Sequence, residues 1–511
     1  MTLPTSGPLT LADIQTEFGG SNPIGLNEYY AGGGLVPTGT TGTYGAVPTS
    51  GTLSVHDFYG TSNSYAYAYL FSGRASTIKF GRMGQTAINS SGVLFGCGDY
   101  YTYNSGTNTI NTVSRIFNMV AANGSSKIIK TSAGATIPGQ VKIDSSDNVY
   151  YAYLSGTMGV TKYDSSGNLV WGSLGYKTSY VYNPTVQPYN RMVVASNQEI
   201  YVGGADAGTP PTKAIITKYT NTNPPTAAWS RSITTGSNPG YSIYSLGLDS
   251  SDNLYAAGYG YNTSTLVGVA FFVKYNSAGT LQWQRKLVTA TPSTTFVYLY
   301  ASATNSSGDT MLGGSETGKF WYAKYNASGT IQWQIKSTTD GSFKNIIYGP
   351  SGNIYMVGTD VSSTGIYVVK INSSGTVLWQ NYLAGPVISG YSTVFLVPAI
   401  TVDSAETFLY ITSYVNLNIS GVSDIGGIMF KVPTDGSKTG TSTTVTFDRG
   451  ITLALTYNTS SLSFGTGAAV DSAGAFTFAN VAETIFQTSG DFPNSAPVLQ
   501  ETITNSQTTI T

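Results

Sequence analysis

Four stretches of this 511-residue chain are spelled almost alike: Lys162-Tyr-Asp-Ser-Ser-Gly-Asn-Leu-Val-Trp171, Lys274-Tyr-Asn-Ser-Ala-Gly-Thr-Leu-Gln-Trp283, Lys324-Tyr-Asn-Ala-Ser-Gly-Thr-Ile-Gln-Trp333 and Lys370-Ile-Asn-Ser-Ser-Gly-Thr-Val-Leu-Trp379. A fifth, diverged copy runs from Lys218-Tyr219 to Trp229, with an insertion at Pro224-Pro225. An array of one small unit therefore sets the architecture before any single residue is weighed. The tetrad Asn276-Ser-Ala-Gly279 suits a type I turn whose last residue takes positive φ, which glycine adopts without a Cβ clash. Ahead of it Ala270-Phe-Phe-Val273 is continuously apolar, as in a sheet buried on both faces; after it Leu281 and Trp283 alternate with Gln282 and Gln284. The tryptophans are expected to pack between neighbouring sheets.

A second hairpin alternates with the first. It recurs at Asn89-Ser-Ser-Gly92, Asp144-Ser-Ser-Asp147, Ala195-Ser-Asn-Gln198, Asp249-Ser-Ser-Asp252, Asn305-Ser-Ser-Gly308, Gly349-Pro-Ser-Gly352, Asp403-Ser-Ala-Glu406 and Asp471-Ser-Ala-Gly474, at spacings of 44 to 68 residues. Most copies lead into an apolar and aromatic pair such as Val149-Tyr150 or Leu254-Tyr255. One hairpin of each kind makes a four-stranded blade, so the chain is expected to be all-β and to fold as a β-propeller, an architecture of about four to eight blades. Eight copies predict eight blades. Seven result if the first or last copy is not a full blade, since residues 65–82 and 481–500 are both strand-like and either segment could close the ring. The repeats resemble the short propeller repeats of bacterial surface proteins and, more loosely, quinoprotein-type propellers; the resemblance covers roughly residues 65–500 and bears on fold rather than function.

Composition narrows the partners. Charged residues make up 10% of the chain, against about 25% in ordinary domains, while 60 glycines and 38 tyrosines suit turn-rich β architecture. A formal net charge of -1 gives no support to a nucleic-acid partner, and a single cysteine allows neither a disulfide framework nor a thiolate metal cluster. The start, Met-Thr-Leu-Pro-Thr-Ser-Gly, has no basic region followed by an apolar one, and no stretch approaches about 18 apolar residues, so neither a signal peptide nor membrane insertion is expected.

Residues 1–62 are read as a separate module, with the propeller spanning 63–511. Leu3-Pro-Thr-Ser-Gly-Pro-Leu-Thr-Leu-Ala-Asp-Ile14 returns as Val47-Pro-Thr-Ser-Gly-Thr-Leu-Ser-Val-His-Asp-Phe58, an ungapped offset of 44. Thr10 with Asp13, and Ser54 with Asp57, form the signature of a capped helix start, and the following glycines Gly19 and Gly60 limit each helix to two turns or less. A segment this short is expected to bury little surface and to order against a partner. The string from Pro4 to Gly20, followed by Asn22-Pro-Ile-Gly-Leu-Asn-Glu-Tyr-Tyr30, resembles a module at the N-terminus of tail, fibre and other appendage proteins of tailed bacteriophages. That resemblance implies docking to other virion proteins through residues 1–60, with Leu9, Leu11, Ile14, Phe18, Leu53, Val55 and Phe58 as the docking residues, and a body that projects outward.

Catalytic groups are scarce. His56 is the only histidine and stands where the sister copy has Ala12, so it reads as a surface or packing residue and leaves no imidazole base for a Ser-His-Asp or Cys-His system. Cys97 aligns with Ala152, Gly203, Ala257, Gly313 and Val357 and reads as a small buried residue. The runs Asp144–Asn148 and Asp249–Asn253 offer hard oxygen ligands, but they lack the glycine and distant glutamate of a known calcium loop, and a turn position already explains Asp and Asn. No carboxylate pair for glycoside hydrolysis stands out. The chain is therefore expected not to be an enzyme and to use neither cofactor nor metal.

Because both short turns of a blade join alternate strand pairs, they lie on one face of the disc and the variable connections on the other. The second face is the candidate binding surface, with tyrosines placed on its loops: Tyr100, Tyr101, Tyr103, Tyr176, Tyr180, Tyr182, Tyr259, Tyr261, Tyr298 and Tyr300. A flat ring with a hydroxyl suits both sugar stacking and protein contact. The functional expectation is a virion protein, on the tail or another external appendage, whose propeller binds a host surface glycan or protein. The alternatives are a structural tail, neck or baseplate component, and a propeller hydrolase or lyase acting on polysaccharide. Oligomeric state is left open.

Overall fold

The computed structural model describes residues 3–20, 22–31, 35–36, 40–61, 67–71, 78–104, 109–120, 126–133, 137–154, 158–176, 191–205, 213–223, 225–234, 241–262, 267–288, 297–384, 391–419, 422–436, 440–441, 445–446, 452–453, 456–459, 464–466, 470–473, 477–480 and 505–509. Its body is a β-propeller, a ring of four-stranded antiparallel sheets. Blade 4 illustrates the unit. Its strands Tyr241–Leu248, Leu254–Asn262, Val267–Tyr275 and Leu281–Val288 pair in chain order, with the first innermost. The last turn closes as its spelling requires: Gly279 N–H donates to Asn276 C=O at 2.8 Å with Gly279 at φ 79°.

The inner strands of the other blades are Ile78–Ile88, Ile137–Ile143, Met192–Val194, Val297–Thr304, the second part of Ile331–Tyr348, and Tyr391–Val402. Strand Ile331–Tyr348 belongs to two blades, because its first half pairs with Lys319–Tyr325 of blade 5 and Gly341–Tyr348 pairs with Ile354–Asp360 of blade 6. In blade 7 the outer strand comes from the other end of the ring: Tyr67–Phe71 pairs antiparallel with Val422–Pro433. Thr401 of blade 7 and Thr86 of blade 1 then join across the seam, Oγ1 to Oγ1 at 2.9 Å, and Thr401 Oγ1 also donates to Thr86 C=O at 2.7 Å.

The described strands make seven blades, the second of the two counts that the repeats allow. Of the tetrad Asp471-Ser-Ala-Gly474, Gly474 lies outside the described residues and the other three are extended. Val470–Ala473 is a single strand that pairs along the outside of blade 4. Three more pieces do the same on neighbouring blades: Thr456–Thr459 on blade 6, Phe464–Thr466 on blade 5 and Thr477–Asn480 on blade 3. A fifth, Asn505–Thr509, pairs with Tyr67–Phe71.

The core lies between blades. Phe271 and Val273 pack toward Ile216, Ile233 and Ala214 of blade 3, whereas Ala270 and Phe272 pack toward Leu299, Leu312 and Trp321 of blade 5. Successive residues of a strand face opposite sides, so a strand sandwiched between two blades must be apolar at every position. That is the physical reason for the unbroken Ala270–Val273 run.

In blades 3, 4 and 6 the Lys and Trp of the repeat fasten the blade to the next one. Lys218 Nζ and Trp229 Nε1 both donate to Ser277 C=O in the following turn, at 3.0 and 3.3 Å; Lys274 and Trp283 do the same to Ala327 C=O, at 3.3 and 3.0 Å, and Lys370 and Trp379 to Thr434 C=O, at 3.0 and 2.9 Å. The indole lies against the turn glycine of the next blade. A Cβ on Gly329 would sit 2.7 Å from the Trp283 ring, so side-chain absence is needed there for packing as well as for the φ of 75°.

Residues 3–61 form a small core of their own. The helix Leu11–Phe18 starts with the expected capping box, with Thr10 N–H donating to Asp13 Oδ2 at 2.8 Å and Asp13 N–H to Thr10 Oγ1 at 3.2 Å. The second copy makes a single 3₁₀ turn, Val55–Phe58, where Ser54 N–H donates to Asp57 Oδ2 at 2.7 Å. Phe18, Tyr29 and Phe58 meet edge to face, and Leu3 N–H donates to Thr61 C=O at 2.8 Å, closing the two ends of the module on each other. The expectation that this segment orders only against a partner is corrected, since its two copies bury each other's apolar face.

Two outcomes follow for stability. Trp283→Ala removes a ring and a donor at once and should cost about 3 kcal/mol in urea unfolding of the full chain; a loss under about 1 kcal/mol would show that the indole does not fasten the blades. Ending the chain at residue 455 strips the strands that cover the outer edges of blades 3 to 6. Such a chain should keep its far-UV β spectrum and self-associate through the bared edges in light scattering; a truncated chain that stays monomeric would refute the edge-covering role.

Candidate functional site

The inner strands carry a β-bulge at one equivalent place. Register shifts fall between Pro138 and Gln140, Ile243 and Ser245, Leu299 and Ala301, Phe343 and Asn345, and Leu396 and Ala399. A bulge adds an unpaired residue and re-aims side chains. In blades 2, 4 and 6 the residue after the bulge is polar, buried and bonded to the next inner strand. Gln140 Nε2 donates to Met192 C=O at 3.0 Å, Ser245 Oγ to Ser302 C=O at 3.2 Å, and Asn345 Oδ1 accepts from Ile400 N–H at 3.2 Å. These links hold the bulges in position around the axis.

The bulged residues of blades 4, 5 and 6 are Tyr244, Tyr300 and Lys344, and they meet. Tyr244 stacks on Tyr259 with centroids 4.6 Å apart, Tyr298 stacks on Tyr300 at 5.8 Å, and Tyr259 stands edge-on to Tyr298 at 5.1 Å. Two cations cap the group: the Arg191 guanidinium lies 5.2 Å from the Tyr244 ring centre and Lys344 Nζ 4.0 Å from that of Tyr300. Cations over ring faces are held by the negative face of the ring. Arg191 is buried, and the four tyrosines and Lys344 are half-buried. Burial pushes the Tyr259 and Tyr300 hydroxyls up, and it lowers Lys344 to about 8.

Of the ten tyrosines expected on loops, Tyr259, Tyr298 and Tyr300 are brought together here, but from strands. Tyr259 and Tyr261 lie in Leu254–Asn262, Tyr298 and Tyr300 in Val297–Thr304, Tyr100, Tyr101 and Tyr103 in Val93–Asn104, and Tyr176 ends Leu169–Tyr176. The loop assignment is therefore corrected for these eight: tyrosine favours strands, and the strands run well past the residues that mark the hairpins. The side chains of Tyr100, Tyr101, Tyr103, Tyr176 and Tyr261, and all of Tyr180 and Tyr182, lie outside the described residues. Sequence reasoning missed Tyr244, Arg191 and Lys344. The signal was positional, for Tyr244, Tyr300 and Lys344 each stand five residues ahead of the turn that begins at Asp249, Asn305 or Gly349.

Of the seven docking candidates, three are buried and four half-buried. Ile14, Phe18 and Phe58 are 0 to 4% exposed and form the interior of the module, with Leu9, Leu11, Leu53 and Val55 packed on them. They hold the two copies together because an apolar face of this size is better spent on the sister copy than on solvent. What is exposed is the pair of Pro-Thr-Ser-Gly loops at Thr5–Gly7 and Thr49–Gly51. His56 stacks on the exposed Tyr44 at 3.9 Å. The Cys97 side chain lies outside the described residues.

The acidic turns close on themselves. Asp144 Oδ1 accepts from Ser146 and Asn148 N–H, both at 2.9 Å, and Oδ2 from Tyr150 OH at 3.0 Å. Asp252, at φ 57°, reaches back to the preceding blade and accepts from Ser196 N–H and Oγ at 3.0 and 2.6 Å. Among the described residues no three His, Cys, Asp or Glu gather where they could hold a metal, and no helix is long and apolar enough to cross a membrane.

No family model and no curated protein matches the chain. Solved structures do. The β-propeller domain of the Trilobed protease from Pyrococcus furiosus matches at 8% identity and TM-score 0.40, over 68% of this chain and 96% of that one. Pyrococcus horikoshii acylaminoacyl peptidase matches at 10% and 0.38, over 68% and 51%, and Porphyromonas gingivalis dipeptidyl peptidase 4 at 10% and 0.36, over 73% and 57%. This chain spans little more than half the length of those two peptidases. Identities this low speak to fold alone. The expectation that the chain is not an enzyme is nevertheless corrected, since the solved structures it matches include the propeller domain of a protease and two peptidases.

The lowered Lys344 makes a pH prediction. Between about 8 and the ordinary 10.5, the unfolded chain holds a proton at this lysine that the folded chain does not, so stability rises with pH through that window. Lys142 and Lys431, also lowered to about 8 by burial, act in the same direction. Lys344→Met should melt above the parent at pH 7, with the gap closing toward pH 10. A gap that is constant with pH would mean that Lys344 is not desolvated.

Proposed function

We propose that this chain is a virion protein of a tailed bacteriophage, an adhesin of the tail-fibre or appendage type. Residues 3–61 attach it to the particle, and the propeller binds a host surface structure through the tyrosine cluster near its axis. The observation that carries this reading is the doubled Pro-Thr-Ser-Gly motif, which resembles phage appendage modules in both copies. Its two exposed loops, presented by one shared core, give other virion proteins a repeated contact, and they replace the apolar residues as the docking surface. The Tyr244, Tyr259, Tyr298 and Tyr300 group supports the binding half of the reading, because rigid aromatic surfaces with hydroxyl edges bind at low entropic cost.

An antibody against the full chain should label purified phage particles at an external appendage, and added full-length protein should coat host cells and slow phage adsorption. Absence of the protein from purified particles would overturn the virion assignment. Presence in particles without any binding to host cells would overturn the adhesin assignment.

A further inference from the structure

The innermost strands are electrostatically one-sided. Lys79 and Arg82 lie on Ile78–Ile88, Lys142 on Ile137–Ile143, Arg191 directly ahead of Met192–Val194, and Lys344 on Gly341–Tyr348. The three other inner strands, Tyr241–Leu248, Val297–Thr304 and Tyr391–Val402, have no charged residue. No Asp or Glu stands on any of the seven, although acids outnumber bases over the whole chain by 25 to 24; Asp340, directly ahead of Gly341, is taken up by Lys319 at 2.6 Å. Charges of one sign gathered on adjoining strands attract ions of the other sign.

Among the described residues, neither Lys142 nor Lys344 makes an ion pair, whereas Lys218, Lys274, Lys319, Lys324 and Lys336 all do. A half-buried ammonium is costly to keep without a counter-charge, and a bulge could equally well hold an apolar chain. Lys344 instead stands 4.0 Å over Tyr300, in the same aromatic group as Arg191.

We infer that Arg191 and Lys344, with Tyr244, Tyr259, Tyr298 and Tyr300, form a binding site for an acidic saccharide: the two cations take the anionic group and a tyrosine face takes the sugar ring. The anion site stands on these residues alone. Its identification with a host polysaccharide rests on the function proposed above.

The test is calorimetric titration of the full-length protein with oligogalacturonate, with maltohexaose as a neutral probe and with glucose 6-phosphate to separate phosphate from carboxylate. Oligogalacturonate or the sugar phosphate should bind at pH 7 and the neutral chain at least tenfold more weakly. Lys344→Met and Arg191→Gln should each cost tenfold or more, with unfolding midpoints measured alongside. Affinity should fall from pH 7 to pH 9.5 in the parent, as Lys344 loses its proton, and that fall should vanish in Lys344→Met. Equal binding of neutral and acidic probes, no binding of either acid, or full affinity in a folded Lys344→Met would overturn the inference. Host-cell binding without acidic-sugar binding would sink this inference and leave the adhesin reading standing; acidic-sugar binding without host-cell binding would do the reverse.

Discussion

After blades 3, 4 and 6, a single backbone carbonyl in the turn of the following blade receives both the lysine ammonium and the tryptophan N–H of the blade before it. A carbonyl oxygen has two lone pairs, so the two donors do not compete. The lysine also lies over a tyrosine of its own blade, as Lys218 does over Tyr201 and Lys274 over Tyr255, 5.4 and 4.8 Å from the ring centres. Ammonium, indole and phenol ring thus make one fastening at each of these three boundaries, while at the blade 2 boundary Lys162 Nζ donates instead to the Gln198 and Asn221 side-chain oxygens, at 2.9 and 3.4 Å. Its sequence requirement, Lys-Tyr ahead of the turn, Gly within it and Trp four residues after the glycine, is the repeated spelling itself. The repeat is conspicuous because the interaction joins copies to one another, so each copy must carry both halves of the joint.

Fastening at the turn face leaves the axial positions free to differ. At the bulge, blades 2, 4, 5 and 6 carry Gly139, Tyr244, Tyr300 and Lys344, three chemistries on one backbone geometry. Buried Gln140, Ser245 and Asn345 keep that geometry by bonding to the next blade. A fixed framework that presents variable side chains at a concave place is the arrangement by which one fold supports many functions. The tyrosine group on blades 4 and 5 and the cations on blades 3 and 6 follow from this division of labour.

What the sequence made legible follows the same line. Continuous apolar runs such as Ala270–Val273, the turn glycines and the interblade tryptophans were readable because each is a local pattern with a local cause. The helix starts at Thr10 and Ser54 were readable for the same reason. The choice between eight blades and seven was not, because Asp471–Ala473 have the composition of a turn while their backbone is drawn straight by pairing with Leu281–Val288, a contact almost two hundred residues distant. The doubled module was misread in the opposite sense: the apolar pattern was right, but a pattern cannot say whether Phe18 and Phe58 face a partner or each other. The axial cluster was missed since Arg191, Tyr244, Tyr300 and Lys344 stand on separate blades and only ring closure brings them within 4.0 to 6.3 Å of one another's rings.

The tail strands obey a rule that neither hairpin has. Thr459, Thr466, Ala473 and Asn480 are spaced by seven residues and pair with Asn381, Ile335, Arg285 and Arg231, each two residues beyond the tryptophan of its blade. The register is therefore identical on blades 6, 5, 4 and 3, in that order. Neighbouring strands of a sheet rotate by about 20–25°, so across four strands the outermost turns by roughly 70° from the innermost and runs along the rim rather than along the axis. Seven extended residues span about 23 Å. The described pieces of the tail, with registers spaced by seven residues, thus cover four consecutive outer edges. The heptad is set by the distance between blades at the rim, just as the longer repeat is set by the path through one blade.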